Sequence, residues 1–188
     1  MALTCRELTP RDWPLVERLF GPSGACAGCW CMYWRLGEGE RYQDVKGAQA
    51  RRRLRQLVEA GAVQAILALD GDEPVGWLTF GPRLDFAKLD RSRHLACDDA
   101  ERVWSLPCFF VKPGRRGEGI STAMLARALK VMRRRGARLA EAYPLRLAAG
   151  ERVANPSAYT GTRGMFDAAG FEVVGGGGKR DRVRKKLR

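Results

Sequence analysis

The stretch from Cys108 to Leu129, CFFVKPGRRGEGISTAMLARAL, passes from an apolar run through glycines and arginines into a run of Met, Leu and Ala. The apolar run predicts a buried strand, and the recurrence of Met, Leu and Ala at helical spacing predicts a helix with one buried face. Glycines that lead into a helix start expose backbone amides and the positive end of the helix dipole to an anion. The junction therefore predicts a phosphate-binding turn.

Two common nucleotide-binding designs do not fit this junction. A P-loop ends in Gly-Lys-Ser/Thr, and the sequence has no such ending here. A dinucleotide fingerprint needs a third glycine where Thr122 stands, although Glu141 lies near the distance expected for a ribose-binding acid. In addition, KPGRR separates the strand from the glycines, whereas the fingerprint turns immediately after its strand.

The composition is that of one globular domain. The 188 residues are 45% hydrophobic, which is enough for a sizeable core. No apolar run approaches the roughly 18 residues that span a bilayer, and charges interrupt the N-terminal stretch, so we expect neither a membrane segment nor a secretory signal. We therefore expect a cytoplasmic protein whose six cysteines are reduced thiols.

The net charge of +13 is compatible with nucleic acid, an acidic surface or an anionic small molecule as partner. The C-terminal run KRDRVRKKLR holds six of these charges, and we interpret it as a solvated edge strand. A nucleic-acid partner stays open without being favoured.

Hydrophobic periodicity and turn signals predict the element order β-α-α-β-β-β-α-β-α-β-β. One long charged helix is expected over YQDVKGAQARRRLRQLVEAG, and DGDE marks the strongest hairpin signal. The last two strands are expected to form a hairpin that turns at GGGG. Residues 1–188 thus form a single α/β domain.

The segment from Val111 to Ser121, VKPGRRGEGIS, resembles the acetyl-CoA motif of the GNAT acetyltransferase superfamily, commonly V-x-P-x-x-R-G-x-G-x-G/A. Ser121 departs from the usual Gly or Ala, but it is also small. LALDGDEPVGWLTF resembles the early hairpin of the family, and GTRGMFDAAGFEVV resembles its last helix before the final hairpin. The resemblance covers nearly the whole chain.

The resemblance implies a three-layer α/β (α+β) fold with a mixed, mostly antiparallel sheet that splays at the acetyl-CoA site and has helices on both faces. It implies a monomeric or homodimeric enzyme that transfers an acetyl group from acetyl-CoA to a primary amine. Backbone groups of the strand before the motif would bind pantetheine, and the motif would bind pyrophosphate. The implied cofactor-binding residues are Phe109, Phe110, Val111, Arg116, Gly117, Glu118, Gly119, Ile120, Ser121, Thr122 and Asn155.

The catalytic groups are less regular. The family usually has a tyrosine acid where this chain has Phe166, so Tyr159 is the nearest candidate proton donor. Some members place a base at the position of Ser105, which leaves Glu141, or ordered water, to deprotonate the amine. A paired structural carboxylate is the alternative for Glu141. Cys108 is expected to be an inert core thiol.

The loop GACAGCWCMYWR would cover the acceptor in such a fold. Trp30, Tyr33 and Trp34 are candidate walls of the acceptor site, with an aromatic cluster that anchors the loop as the alternative. The three loop cysteines form C-x2-C-x-C without a nearby fourth ligand, so we expect no metal site. His94 lies in a polar stretch and is expected to be solvated.

Two other functions stay open at this stage. Phe166 and Ser105 occupy positions where a catalytic group is common, so the chain could be a coenzyme-A-binding sensor or interaction module without activity. The basic excess, with an arginine-rich helix over 51–55, also leaves an aminoacyl-tRNA or another acidic macromolecule as the carrier of the acceptor.

Overall fold

The computed structural model describes residues 3–146 and 159–188. The strands are β1 (Leu3–Glu7), β2 (Gln64–Asp70), β3 (Glu73–Pro82), β4 (Trp104–Val111), β5 (Leu139–Ala142), β6 (Glu172–Gly177) and β7 (Arg180–Lys186). The helices are α1 (Trp13–Phe20), α2 (Tyr42–Val45), α3 (Ala48–Glu59), α4 (Ile120–Arg134) and α5 (Arg163–Ala168). In this described part of the chain, no helix is both long and apolar enough to cross a membrane.

All seven strands join one sheet in the order β1-β2-β3-β4-β5-β7-β6. Every neighbouring pair is antiparallel except β4 and β5, which run parallel. The predicted mixed, mostly antiparallel sheet is therefore confirmed.

The sheet opens beside β4. Its pairing with β5 ends at Leu106 and Ala142, although β4 continues to Val111. Beyond Ala142 the chain follows β7 instead, because the Asp181 N–H donates to the Pro144 carbonyl at 3.0 Å. Pro107 has no N–H to offer a neighbouring strand at this point. Among residues 3–146 and 159–188, the second half of β4 therefore has a strand partner, β3, on one side only.

A bulge in β4 accompanies this opening, because two residues of β4, Leu106 and Pro107, lie opposite one residue of β3, Phe80. The pairing of β3 with β4 is interrupted between Thr79 and Gly81, opposite Pro107. One extra residue in a strand reverses the alternation of its side chains between the two faces. Leu106 accordingly packs on the same face as Phe109, although an uninterrupted strand would place them on opposite faces.

Helices cover both faces of the sheet, as predicted. On one face α1, α3 and the loop between α1 and α2 pack on Trp77 and Phe110. On the other face α4 and α5 pack on Leu78 and Phe109. Burial of these large apolar side chains, at about 1.5–3 kcal/mol each, holds the layers together and fixes the position of β4 between them.

The long charged helix predicted over 42–61 is two helices. Gly47 interrupts it with φ +79°, and its N–H donates to the Gly28 carbonyl at 2.8 Å. A residue in this left-handed conformation cannot continue an α-helix, and the contact ties α3 to the loop before α2. Sequence periodicity alone does not reveal such a tertiary hydrogen bond.

Two predictions for the C-terminal hairpin were wrong. The glycines Gly175–Gly177 belong to β6, and the turn lies at Gly178 and Lys179. The basic run is not a solvated edge strand, because β7 lies between β5 and β6. The Arg184 side chain is only 15% exposed, and it pairs with buried Glu141 and with the partly exposed Asp99.

Candidate active site

A turn with left-handed glycines connects β4 to α4. Gly114, Gly117 and Gly119 have φ values of +86°, +85° and +77°. Gly119 caps α4, whose first hydrogen bond runs from the Ala123 N–H to the Gly119 carbonyl at 3.0 Å. The amides of the first helical turn therefore have no partner within the helix and can bind an anion.

The two arginines of this turn have different partners. Arg115 pairs with Asp70 at 3.1 Å and with Glu118 at 2.8 Å. Arg116 is exposed and forms no ion pair with any described residue. Of the two, Arg116 is the one whose charge is available to a ligand.

A cleft of about 180 Å³ lies at the opening of the sheet, between β4, the start of α4 and the segment before α5. We call it the cofactor cleft. Its lining residues are Cys26, Phe109, Phe110, Val111, Arg116, Ser121, Tyr159, Gly161, Thr162 and Met165. The structure thus brings five of the predicted cofactor-binding residues together with the predicted proton donor.

Other predicted cofactor-binding residues lie around the cleft rather than in its lining. Gly117 and Glu118 are exposed in the turn, and the Glu118 side chain forms an ion pair with Arg115. Ile120 is buried against β3, and Thr122 lines a separate groove of about 1030 Å³ beside α4 and α5. Asn155 lies outside the described residues.

Tyr159 lies on a short 3-10 turn before α5, not on the helix itself. Its hydroxyl accepts a hydrogen bond from Arg180 Nη2 at 2.9 Å. Burial raises the pKa of Tyr159 to about 12, against the opposing charge of Arg180. The phenol is therefore protonated at neutral pH and has a fixed position at the cofactor cleft, as a general acid requires.

A second cavity of about 500 Å³, which we call the basic groove, opens on the same side of the sheet as Tyr159. It is lined by Tyr33, Trp34, Lys88, Arg91, Ser92, His94, Leu95, Gly177, Gly178, Lys179 and Arg180. Tyr33 stands edge-on to Tyr159, with ring centres 6.4 Å apart, and Arg180 binds the Tyr159 hydroxyl. The cofactor cleft and the basic groove therefore meet at Tyr159.

The Acetyltransferase (GNAT) family model matches residues 30–149, more than half of the chain. This chain belongs to the GNAT acetyltransferase family. The resemblance predicted from the glycine turn is thus confirmed, and with it an acetyltransferase whose family uses acetyl-CoA as acyl donor.

Solved GNAT structures share the fold over almost the whole chain. PaiA N-acetyltransferase from Thermoplasma acidophilum, in complex with coenzyme A, has a TM-score of 0.58, 15% identity and coverage of 99% of both chains. Phosphinothricin acetyltransferase from Sinorhizobium meliloti, in complex with acetyl-CoA, has a TM-score of 0.57 and 17% sequence identity. The match covers 100% of this chain and 89% of that chain. An acetyltransferase from Thermus thermophilus has a TM-score of 0.55 and 22% sequence identity, and the match covers 100% of this chain and 98% of that chain. Among curated protein sequences, none matches this chain.

Phe166, at the usual tyrosine position of the GNAT family, is a core residue here. It is fully buried, and its ring packs edge-on against Phe109 and Phe171 with centres 5.9 and 5.1 Å away. Phe166 therefore has a packing role, and the tyrosine that lines the cofactor cleft is Tyr159.

The position of Glu141 does not support the predicted catalytic role. Its side chain is fully buried and is bound by Arg83, by the Tyr143 hydroxyl at 2.8 Å and by Arg184 Nε at 2.5 Å. The Ser105 hydroxyl lies 2.6 Å from that of Tyr143. Two guanidinium groups stabilise the carboxylate and occupy its oxygens, so the alternative of a structural ion pair is the one that fits.

Trp30 is not a wall of the acceptor site. Only 5% of it is exposed, and it packs on Trp13 and Phe20 with ring centres 5.8 and 5.6 Å away. It anchors the loop to the core, which is the aromatic-cluster alternative. Tyr33 and Trp34 do line the basic groove, at its junction with the cofactor cleft.

The cysteines of the loop between α1 and α2 lie in different environments. Cys26 lines the cofactor cleft, and buried Cys31 accepts a hydrogen bond from Trp77 Nε1 at 3.2 Å. Across residues 3–146 and 159–188, no three ligand groups gather as a metal ion would need. A hydrogen bond with Cys31, together with burial, raises the pKa of Cys108 well above its ordinary value, so Cys108 is a neutral core thiol.

The basic groove was not predicted from the sequence. His94 was expected to be solvated, and it is exposed, but it lies on the rim of this groove. Lys88 and Arg91 come from an irregular segment, whereas Lys179 and Arg180 come from the final hairpin. No spacing in the sequence relates two segments that are almost ninety residues apart, and only the sheet order brings them together.

Proposed function

We propose that this GNAT enzyme transfers the acetyl group of acetyl-CoA directly to a primary amine, with Tyr159 as the proton donor. The observation that carries the proposal is the cofactor cleft, where the open edge of β4, the glycine turn and the half-buried side chain of Tyr159 converge. Acetyl-CoA supplies the activated acyl thioester, and the chain supplies its binding, its orientation and a proton.

The residues of the cleft fit coenzyme A. Beyond Leu106 the side of β4 away from β3 has no strand partner, so its backbone groups are available to the amides of pantetheine. Arg116 and the free amides at the start of α4 suit a pyrophosphate. Phe109, Phe110 and Val111 would hold the pantetheine arm, and Arg116 through Ser121 would hold the phosphates.

The chemistry needs a polarised thioester carbonyl and a proton for the leaving thiolate. A backbone N–H on the open side of β4 would polarise the carbonyl. Tyr159 holds its proton at the hydroxyl, because burial keeps the phenol neutral and Arg180 fixes the oxygen. Arg180 also stabilises the phenolate that results from proton transfer.

The amine must also lose a proton, and the one histidine at the site, His94, is exposed on the rim of the basic groove. Among the described residues that line the cofactor cleft and the basic groove, none is a carboxylate. Glu141 is held in its ion pairs. We therefore propose that the amine loses its proton to ordered water or enters the groove already neutral.

The two other functions considered from the sequence receive less support. The argument for an inactive sensor was the absence of an acid at Phe166 and of a base at Ser105. Tyr159 supplies a candidate acid in the cleft, and ordered water can accept the proton of the amine. The argument for RNA was the arginine-rich helix. However, three of its arginines are paired: Arg51 with Glu17, Arg53 with Glu40 and Arg55 with Glu59.

Thiol release measured with a colorimetric thiol reagent, in the presence of acetyl-CoA and a panel of primary amines, tests the proposal. We expect amine-dependent release of coenzyme A, with the acetylated amine identified by mass spectrometry. Binding of acetyl-CoA without release in the presence of any amine would contradict direct transfer and favour the sensor.

A further inference from the structure

We propose that the basic groove selects an amine acceptor that carries a negatively charged group, a carboxylate or a phosphate. This inference rests on the proposed function, because it concerns the acceptor of the same reaction. It starts from the position of the groove, which shares no lining residue with the cofactor cleft and yet meets it at Tyr159. An acceptor bound in the groove therefore reaches the acyl donor from the side opposite the phosphate turn.

The groove is positively charged, and the nearby carboxylate of Glu40, whose pKa is lowered by the Gly37 N–H and also by Arg91, lies outside its lining. Four of its lining side chains are cations, Lys88, Arg91, Lys179 and Arg180, and no carboxylate lines it among the described residues. None of the four forms an ion pair with a described residue. The net positive charge of the protein does not by itself explain why these four cations lack ion pairs, because many other arginines of the chain are paired.

Paired arginines elsewhere in the chain show the contrast. Arg83 and Arg184 bind Glu141, and Arg146 binds Asp181 at 2.7 Å. These three lie close to the groove in sequence or in the sheet, and each has an acidic partner. Acidic partners are thus present for arginines next to the groove, whereas no carboxylate is present among the described residues of the groove lining itself.

Neutral groups hold the cations of the groove in place. Arg91 donates to the backbone carbonyls of Leu36 and Gly37, the latter at 2.6 Å. The Lys88 ammonium lies 4.1 Å from the centre of the Tyr33 ring. Carbonyl oxygens and ring faces orient a cation without cancelling its charge, so the groove keeps a positive potential.

Arg180 completes this arrangement at the inner end of the groove. Its guanidinium lies 5.8 Å from the centre of the Trp34 ring and donates to the hydroxyls of Thr160 and Tyr159. A partly buried guanidinium without a carboxylate is costly unless an anion is supplied from outside. A bound acceptor that carries an anionic group would supply it.

A positive groove also favours the chemistry of the amine. Nearby positive charges disfavour the protonated ammonium form and so favour the neutral amine that attacks the thioester. This would help an enzyme whose described cleft and groove contain no carboxylate base. The same potential disfavours polyamines, which would bring more positive charge into the groove.

The size of the groove favours a small molecule over a macromolecule. Its volume of about 500 Å³ is typical of small-ligand sites. The Lys88 ammonium and the Tyr159 ring both lie beside the Tyr33 ring, 4.1 and 6.4 Å from its centre. The anionic group and the amine of the acceptor would therefore be separated by no more than the length of a small molecule.

Matched pairs of amines test the inference. We would measure kcat/KM for β-alanine against β-alaninamide and for phosphoethanolamine against ethanolamine, with spermidine as the cationic probe. In at least one pair, kcat/KM for the anionic amine should exceed that for its neutral counterpart by at least about tenfold. Spermidine should have the lowest kcat/KM of all the amines. The two pairs distinguish carboxylate from phosphate.

A charge variant localises the effect. In Lys88→Gln/Lys179→Gln the preference for the anionic amine should fall about tenfold through KM, while acetyl-CoA affinity is unchanged. Lys46→Gln/Arg52→Gln removes the same charge from exposed positions outside both cavities and should behave like the wild type. Calorimetry of each anionic amine with the coenzyme-A-loaded protein gives a second readout that needs no turnover.

The outcomes separate this inference from the proposed function. Equal or faster turnover of the neutral amines or spermidine would overturn the inference and leave acetyl transfer intact. An equal loss for both members of a pair in the lysine variant would also overturn it. Charge-dependent binding of an anionic amine without turnover of any amine would contradict the proposed function while supporting an anion-selective groove. Absence of that binding and of an anionic preference in turnover would overturn the inference.

Discussion

Arg180 Nη2 donates a hydrogen bond to the Tyr159 hydroxyl at 2.9 Å, and the guanidinium lies 4.9 Å from the centre of the Tyr159 ring. One residue at the start of β7 thus fixes the hydroxyl where the cofactor cleft meets the basic groove. Burial of Tyr159 outweighs the charge of Arg180, and the phenol keeps its proton at neutral pH. Arg180 is therefore a positioning residue for the proposed acid.

Tyr159→Phe should lower kcat by about 10²–10⁴-fold, because it removes the proposed general acid. Its dissociation constant for acetyl-CoA should be unchanged, since the phosphate turn and β4 are intact. Steady-state kinetics and calorimetry measure the two quantities. Tyr42→Phe is the matched control, because its hydroxyl bonds to the Ala27 carbonyl at 2.9 Å outside both cavities. Normal turnover by Tyr159→Phe would show that another group provides the proton.

The pH dependence of kcat reports the protonation of Tyr159. Burial raises its pKa to about 12, so the acid form persists at alkaline pH instead of being lost near the ordinary value of 10. We expect kcat/KM to rise as the amine deprotonates, and kcat to show no falling limb below about pH 10. A falling limb centred below about pH 9 in the wild type that disappears in Tyr159→Phe would contradict this environment for the phenol.

The sequence predicts the glycine turn and the helix start after it well, because their signals are local. Glycines with positive φ at Gly117 and Gly119, and a helix start at Ile120, depend on a few consecutive residues. The role of Glu141 could not be predicted from the sequence, because it depends on residues that are distant along the chain. Its partners Arg83 and Arg184 lie 58 and 43 residues away, and only the strand order brings them to one carboxylate.

Glu141→Gln should destabilise the protein by about 3–5 kcal/mol, because it leaves the guanidinium groups of Arg83 and Arg184 without their shared buried carboxylate. Chemical denaturation measures the change in the free energy of unfolding. Glu59→Gln breaks only an exposed pair with Arg55 and should leave the free energy of unfolding close to that of the wild type. A Glu141→Gln protein of wild-type stability that has lost kcat would instead identify Glu141 as the base.

Arg116→Ala should weaken acetyl-CoA binding about tenfold, because it removes one charge-assisted contact and leaves the backbone amides in place. Arg115→Ala should leave affinity within about twofold, because Arg115 is paired with Asp70 and Glu118. Calorimetry on the two variants compares neighbouring residues of the same type. The opposite order of affinities would place the phosphates on the other side of the turn.

Calorimetric titration of acetyl-CoA into the wild type, Gly119→Val and Gly136→Val tests the central claim most directly. The two glycines lie at opposite ends of α4 with φ values of +77° and +86°, and a Cβ meets no atom within 4 Å at either one. The strain of a β-branched residue is therefore similar, but only Gly119 lies in the proposed phosphate turn. We predict binding by the wild type and Gly136→Val, and none by folded Gly119→Val. No binding by the wild type at millimolar acetyl-CoA, or normal binding by Gly119→Val, would contradict the account.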